Sequence, residues 1–440
     1  MRLPKFLKPS DTPTPPEASA GEAAFTAGQE EAAEETQDTP EELPDSTWHE
    51  RALAVLPSGS STGSKRMDAL WGSADAQAPT HYVQASGCHL TTTDDVTLVD
   101  CTMGLGSVAL GYADERVTQA IVSAAAHGSV GGLPHVLEVD VAERFCEAVP
   151  CAEKVQFLKT GAEAVAAAVR IARTYTGRRR VVGCGYFGWL DWCSDEAGVP
   201  DGVRADYAQV PFNDIDALRT AVDEAGDDLA AVVLEPVVES APSADWLALA
   251  RQLTADSGAA LVFDEVKTGF RVATGGYQEY AKVTPDLAAF GKAMANGFPL
   301  AAVCGSADLM EASRKTWISS TLAGETVALA ATRAVLHAHA ELDVCGELAR
   351  IGAAMRTAVG NALRASRLPG ISVHGIDPMW FLRFESPDLE TRFLVAAAEH
   401  GVLFKRGPYN FASLAHDEAT IHEIEACTSN ALVTLRDAGH

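Results

Sequence analysis

Basic side chains are scarce: 34 Lys and Arg face 60 Asp and Glu in a chain of 440 residues, a net charge of −26. That balance excludes a nucleic-acid partner, because neutralising phosphates takes clustered Lys and Arg. Long apolar runs are also missing. With no stretch of about 18 apolar residues, no membrane span is expected, and the opening MRLPKFLKPSDTP lacks the apolar core of a secretory signal. The nine cysteines form no C-x-x-C pair, and several sit in apolar contexts such as AAVCG. Buried, reduced thiols in a cytoplasmic protein explain them better than zinc or disulfides, and no metal site is expected. Neither a Walker loop nor a strand leading into G-x-G-x-x-G occurs, which sets aside a nicotinamide dehydrogenase.

What is present divides unevenly along the chain. From Asp11 to Asp45 there are eleven acidic residues and no basic one. Such a segment buries too little apolar surface to offset its ordering entropy, so residues 1–46 are expected to form a disordered acidic tail. A docking arm around Phe25 is the functional alternative. Residues 47–100 mix short helical and loop signals and include PSGSSTGS at 57–64. They are expected to contribute to a small domain and to an active-site entrance. A large domain is expected over 101–330 and a smaller C-terminal one over 331–440.

Within 101–330, short apolar runs alternate with helical patterns. The runs are VQFL (155–158), RVVG (180–183), AAVVLE (230–235), ALVFDE (260–265), LAAFG (287–291) and LAAVCG (300–305). Helices are predicted at 116–127, 136–148, 162–176, 214–225 and 244–257. The third carries Val165, Ala168, Val169 and Ala172 on one stripe. This alternation predicts an α/β fold with a mostly parallel sheet covered on both faces. Beyond it, an Ala-rich helix (Ala328 to Leu342), WFLRFE (380–385) and a final helix near 418–436 form the C-terminal part.

Ligands of open parallel sheets collect beyond the carboxyl ends of the strands, and chemistry-bearing residues stand there. VQFL runs into Lys159-Thr160-Gly161-Ala162 and then a helix. Free N–H groups and the positive dipole end favour a phosphate at such a turn, although Thr160 as an ordinary N-cap is the plainer reading. Asp264 ends a strongly apolar strand, where a carboxylate is costly unless it meets a cation. A protonated pyridine nitrogen is one such cation; an N-cap role or an ion pair with Arg271 are the alternatives. Lys292 follows a third strand, between Gly291 and the Asn296-Gly297 turn, where a desolvated amine can serve as nucleophile and base. Lys159 and Lys267 are rivals, the first at the proposed phosphate turn and the second close behind Asp264.

FLKTGAEA, AAAVRIARTYTGR, VVLEPV, LVFDEVKTGFR, GGYQEYAKVTPDLAAFGKAMANG and STLAGETVALAA resemble the class III aminotransferases, nearest the glutamate-1-semialdehyde aminomutase-like branch. The resemblance runs from about Pro57 to Leu435. It implies the fold type I architecture of pyridoxal 5'-phosphate (PLP) enzymes, with PLP held on Lys292 as a Schiff base and Asp264 facing its pyridine nitrogen. It also implies Thr160, Gly161 and Ala162 around the phosphate, Tyr186 stacked on one ring face and Val266 on the other. Thr321 would reach the phosphate of a neighbouring subunit, making a homodimer with shared active sites. Ala162 stands where the family usually has Ser or Thr, leaving only a backbone N–H. Tyr186-Phe187-Gly188 replaces the usual Tyr-His-Gly, which removes an imidazole from the cofactor's surroundings. PSGSSTGSKR replaces a family stretch that helps hold the substrate carboxylate, so Lys65 or Arg66 could supply that cation, and Trp189, which continues the Tyr186-Phe187-Gly188 loop, is a further candidate substrate contact.

The resemblance implies transfer of an amino group from a small-molecule donor, an amino acid or amine, to a carbonyl acceptor. An intramolecular aminomutase shares every residue named. Transamination is placed ahead because the entrance segment departs from the mutase-like pattern. Epimerases, decarboxylases and a non-catalytic binding protein on this fold are more remote, the last opposed by the presence of both Lys292 and Asp264.

Overall fold

The computed structural model describes residues 47–439; the acidic segment 11–45 and Phe25 lie outside them. Three short strands, β1 (Tyr82–Ser86), β2 (His89–Thr92) and β3 (Thr97–Asp100), form an antiparallel meander at the start of the described chain. The central sheet follows, built from β4 (Lys154–Leu158), β5 (Arg180–Cys184), β6 (Tyr207–Gln209), β7 (Leu229–Leu234), β8 (Ala260–Asp264), β9 (Leu287–Phe290) and β10 (Ala301–Gly305). Its strand order is β4-β10-β9-β8-β7-β5-β6. The strands from β9 to β6 are mutually parallel, and β10 runs antiparallel to both β9 and β4. The sheet is therefore α/β and mostly parallel, and β4 points the same way as β8 and β9.

Every residue of β7 to β10 is buried, as expected where helices cover both faces. Alternate side chains serve the two layers. Ala231, Val233, Ala260 and Val262 pack with the helix Gly161–Thr176, whose Val165, Ala168, Val169 and Ala172 are all buried. Val232, Leu234, Leu261 and Phe263 pack instead with the helices Ile215–Ala225 and Ala244–Ser257. Those helices begin at Asp214 and Ser243, whose side chains accept from the third helical N–H, the usual N-cap bond.

The C-terminal part contains β11 (Ile371–Ile376), β12 (Met379–Phe384), β13 (Val402–Leu403) and β14 (Asn410–Phe411). β11, β12 and β14 make a second antiparallel sheet, whereas β13 pairs in parallel with β3 of the N-terminal meander. Arg271 reinforces that long-range connection. Fully buried, it donates to the carbonyls of Gly106, Pro378 and Ala412 and lies 4.8 Å from the centre of the Phe411 ring. Its charge is met by backbone oxygens rather than by Asp264, so the alternative of an Asp264–Arg271 ion pair does not hold. Among the described residues no helix is long and apolar enough to cross a membrane.

Candidate active site

Three strand ends open on one cavity of about 340 Å³. β8 delivers Asp264, β9 leads through Gly291 to Lys292, and β4 leads into the turn at Thr160 and Gly161. Because β8 and β9 are in parallel register, with Asp264 opposite Ala289, the carboxylate and the amine emerge side by side. Asp264 is 6% exposed, and its only hydrogen bond among the described residues comes from the Val266 amide at 3.0 Å. Burial pushes its carboxyl up to about 6, opposed by that bond and by Lys292. Burial likewise pulls the Lys292 amine down to about 8, with Asp264 holding it up and Arg271 lowering it further. Lys292 also has a left-handed backbone (φ 47°), strain of about 1–3 kcal/mol that a bulky residue keeps only where its surroundings impose it.

The turn after β4 is shaped for a close approach. A Cβ on Gly161 would stand 2.8 Å from Cγ2 of Val266, so glycine is what lets Val266 lie against the helix start. Gly188 has φ +91°, and a Cβ there would meet Cβ of Ala162 at 2.4 Å. The Tyr186–Gly188 loop thus rests directly on the turn. Thr160 is an N-cap: its Oγ1 accepts from the Glu163 amide, and Glu163 Oε2 accepts from the amides of Thr160 and Lys159. Gly161 and Ala162 keep the N–H groups that remain free to meet an anion.

The other candidates separate. Tyr186 and Val266 line the cavity with Lys292, Tyr186 being 73% exposed. Phe187 points into the protein, buried and stacked on Trp192 with ring centres 5.8 Å apart, so the Phe-for-His replacement feeds the core as well as the wall. Lys65 lines an adjoining chamber of about 470 Å³ that shares Ser107, Gly297 and Phe298 with the cavity. Arg66 lines neither space and instead precedes the short helix Met67–Trp71. Trp189 is 76% exposed and lines neither as well. Thr321 borders a separate depression with Gly128 to His135.

Two charged residues in the cavity wall escaped sequence reasoning as a pair. Glu235, at the end of β7, accepts from the Tyr186 amide at 3.1 Å and forms an ion pair with Lys267. Burial, helped by Lys292, pulls the Lys267 amine down to about 7. The signal was the one that exposed Asp264: an acid closing a fully apolar strand. Among the described residues no His, Cys, Asp and Glu cluster could hold a metal.

These features fit PLP: a buried carboxylate for a pyridinium, a low-pKa amine for an aldehyde, and free helix-start amides for a phosphate. The family model for class-III aminotransferases matches residues 72–187 and 196–417. Glutamate-1-semialdehyde 2,1-aminomutase of Akkermansia muciniphila is 33% identical over 409 residues, spanning 84% of this chain and 94% of its own. The enzyme of the same name from Methanopyrus kandleri is 30% identical over 434 residues, or 90% and 99%. Among solved structures, the PLP internal aldimine form of FumI from Sphingopyxis sp. MTA144 superposes with a TM-score of 0.84 at 27% identity, covering 89% of this chain and 96% of that one. An omega-transaminase from Sphaerobacter thermophilus gives 0.80 at 26%, covering 90% and 99%. The chain belongs to the class-III aminotransferase family of fold type I enzymes, which work with pyridoxal 5'-phosphate.

Proposed function

We propose that this protein is a transaminase that moves an amino group from an amino acid or amine to a keto or aldehyde acceptor, with Lys292 as the covalent anchor of the cofactor and the proton carrier. The observation that carries the reading is the pairing of a buried amine and a buried carboxylate at adjacent strand ends in one cavity. Bound PLP supplies an electron-withdrawing ring that eases loss of a proton from the carbon bearing the substrate nitrogen. Asp264 keeps the ring nitrogen protonated by ion pairing, in a place where water cannot screen the attraction. The Lys292 amine, once displaced by substrate, takes the proton from one carbon and returns it to another. A positioned base of this kind contributes about a hundred- to ten-thousand-fold. Val266 and Tyr186 confine the ring, and the Gly161 and Ala162 amides hold the phosphate.

Two finer readings go with it. The protein is a homodimer whose Thr321 serves the neighbouring subunit, supported by its place outside the cavity of its own chain. Residues 101–330 form the cofactor domain, and 47–100 and 331–440 meet in a smaller one, as the β3–β13 pairing favours. Nine free cysteines accord with a reducing, cytoplasmic setting.

Aminomutase is the second reading, favoured by the name shared by relatives at 30–37% identity. A screen of amino donors and carbonyl acceptors, followed through the cofactor's visible absorption, separates the two. A transaminase passes its amino group to an added 2-oxo acid or aldehyde and releases the deaminated donor. A mutase converts one substrate without needing a second.

A further inference from the structure

The cofactor's phosphate meets an incomplete cradle at the start of the helix Gly161–Thr176. Of the N–H groups at that turn, Lys159 and Thr160 donate to Glu163 Oε2, and Glu163 donates to Thr160 Oγ1. The Ala164 amide already bonds the Thr160 carbonyl. Only Gly161 and Ala162 remain, and neither side chain carries a hydroxyl. These amides, even with the Thr321 hydroxyl expected from the neighbouring subunit, are neutral and bring no charge to three oxygens sharing about −1.5 to −2.

A cation stands at the same end. Lys159 lines the cavity with Gly161 and Ala162, its side chain 15% exposed. Nζ is 2.9 Å from Oε1 of Glu325, which in turn caps the helix Thr326–Glu341 by accepting from the Val327 and Ala328 amides. The cavity's other two ammonium groups are engaged, Lys267 with Glu235 and Lys292 beside Asp264. Glu325 takes one of the three donors of Lys159 and fixes the direction of its stem.

We propose that Lys159 is a ligand of the cofactor phosphate, held in place by Glu325, and supplies the charge that the neutral turn lacks. Lys159 is then what makes the cavity prefer PLP to its unphosphorylated counterpart. The Lys159–Glu325 pair also ties the phosphate turn to the segment carrying Thr321. The inference rests on the cofactor assignment and is independent of which amino transfer the enzyme performs.

The test is the ratio of affinities for PLP and pyridoxal, measured by equilibrium dialysis on the cofactor-free full chain. Lys159→Gln, which can still donate to Glu325, is expected to lower the preference for PLP at least tenfold while the pyridoxal Kd changes less than twofold. Lys159→Arg is expected to keep the preference. Glu325→Gln removes the competing charge while its amide oxygen still accepts from Lys159, and is expected to keep or raise it. Parallel weakening of both ligands in K159Q, or no change in either, overturns the proposal, as does a tenfold loss of preference in E325Q. Should K159Q not fold, Lys159→Met decides by the same criterion. Failure of the wild-type chain to bind PLP at all would instead contradict the cofactor assignment.

Discussion

Lys267 and Glu235 form an ion pair inside the wall of the cofactor cavity, with the ammonium 4.7 Å from the centre of the Tyr409 ring. Glu235 is held from the other side by the Tyr186 amide, so the pair connects the wall to the Tyr186–Gly188 loop that lines the cavity. Removing Lys267 leaves the buried Glu235 carboxyl without its cation. Lys267→Met is therefore expected to cost about 3–5 kcal/mol of stability, and the double variant with Glu235→Leu to recover most of it. Urea unfolding of the cofactor-free protein measures both. A loss below about 1 kcal/mol in the single variant would show that water reaches the pair.

On the proposed reading, Asp264 is kept for chemistry at the expense of stability. Burial raises its carboxyl from 3.8 to about 6, so between those values the folded chain binds more protons than the unfolded one, and stability falls as pH rises through that window. At pH 7 both states are ionised and the whole cost is present. Asp264→Asn is expected to make the cofactor-free protein more stable at pH 7 by roughly 1–3 kcal/mol, with little effect at pH 4. The same change should lower the amino-transfer rate by at least a hundredfold, because a neutral amide no longer holds the pyridinium. Unfolding curves at the two pH values, with single-turnover rates, test the pairing of effects.

Lys292 sets a different pH dependence. Only the neutral amine attacks the PLP aldehyde, and its pKa in the cofactor-free protein is pulled down to about 8. Capture of added PLP should quicken about tenfold per pH unit below 8 and level off above it. Stopped-flow absorbance between pH 6 and 9.5 reads this directly; a flat profile would contradict a desolvated lysine.

The loop seated on the phosphate turn has no spare room. Gly188→Ala places a methyl 2.4 Å from Ala162 Cβ at a backbone angle unsuited to alanine. Overpacking of this kind costs about 1–3 kcal/mol, and the displaced Tyr186 should weaken PLP binding at least tenfold. Dialysis against PLP checks the affinity and thermal unfolding the stability.

Asp264, Lys292 and the Gly161 turn were legible because each breaks an apolar strand where the chain turns into the ligand-binding edge. Glu235 carried the same sign at the end of VVLE but was absorbed into a strand. The helix stripes emerged for a similar reason, since Val165, Ala168, Val169 and Ala172 declare a face locally. Long-range pairings had no such sign. Nothing near Val402 announces that β13 completes the sheet begun by β3, and nothing in AAVCG tells that β10 runs against its neighbours. The entrance was read least well: Lys65 faces the adjoining chamber, whereas Arg66 and Trp189 face neither space. Loop residues without periodicity give no direction to a side chain.

On the proposed reading one lysine, Lys292, binds the cofactor covalently. Borohydride reduction of the PLP-loaded protein, followed by peptide mapping by mass spectrometry, should find a single pyridoxyl group on Lys292 and none on Lys292→Ala. A label on Lys267 or Lys159 in the wild-type chain, or no label at all, would contradict it.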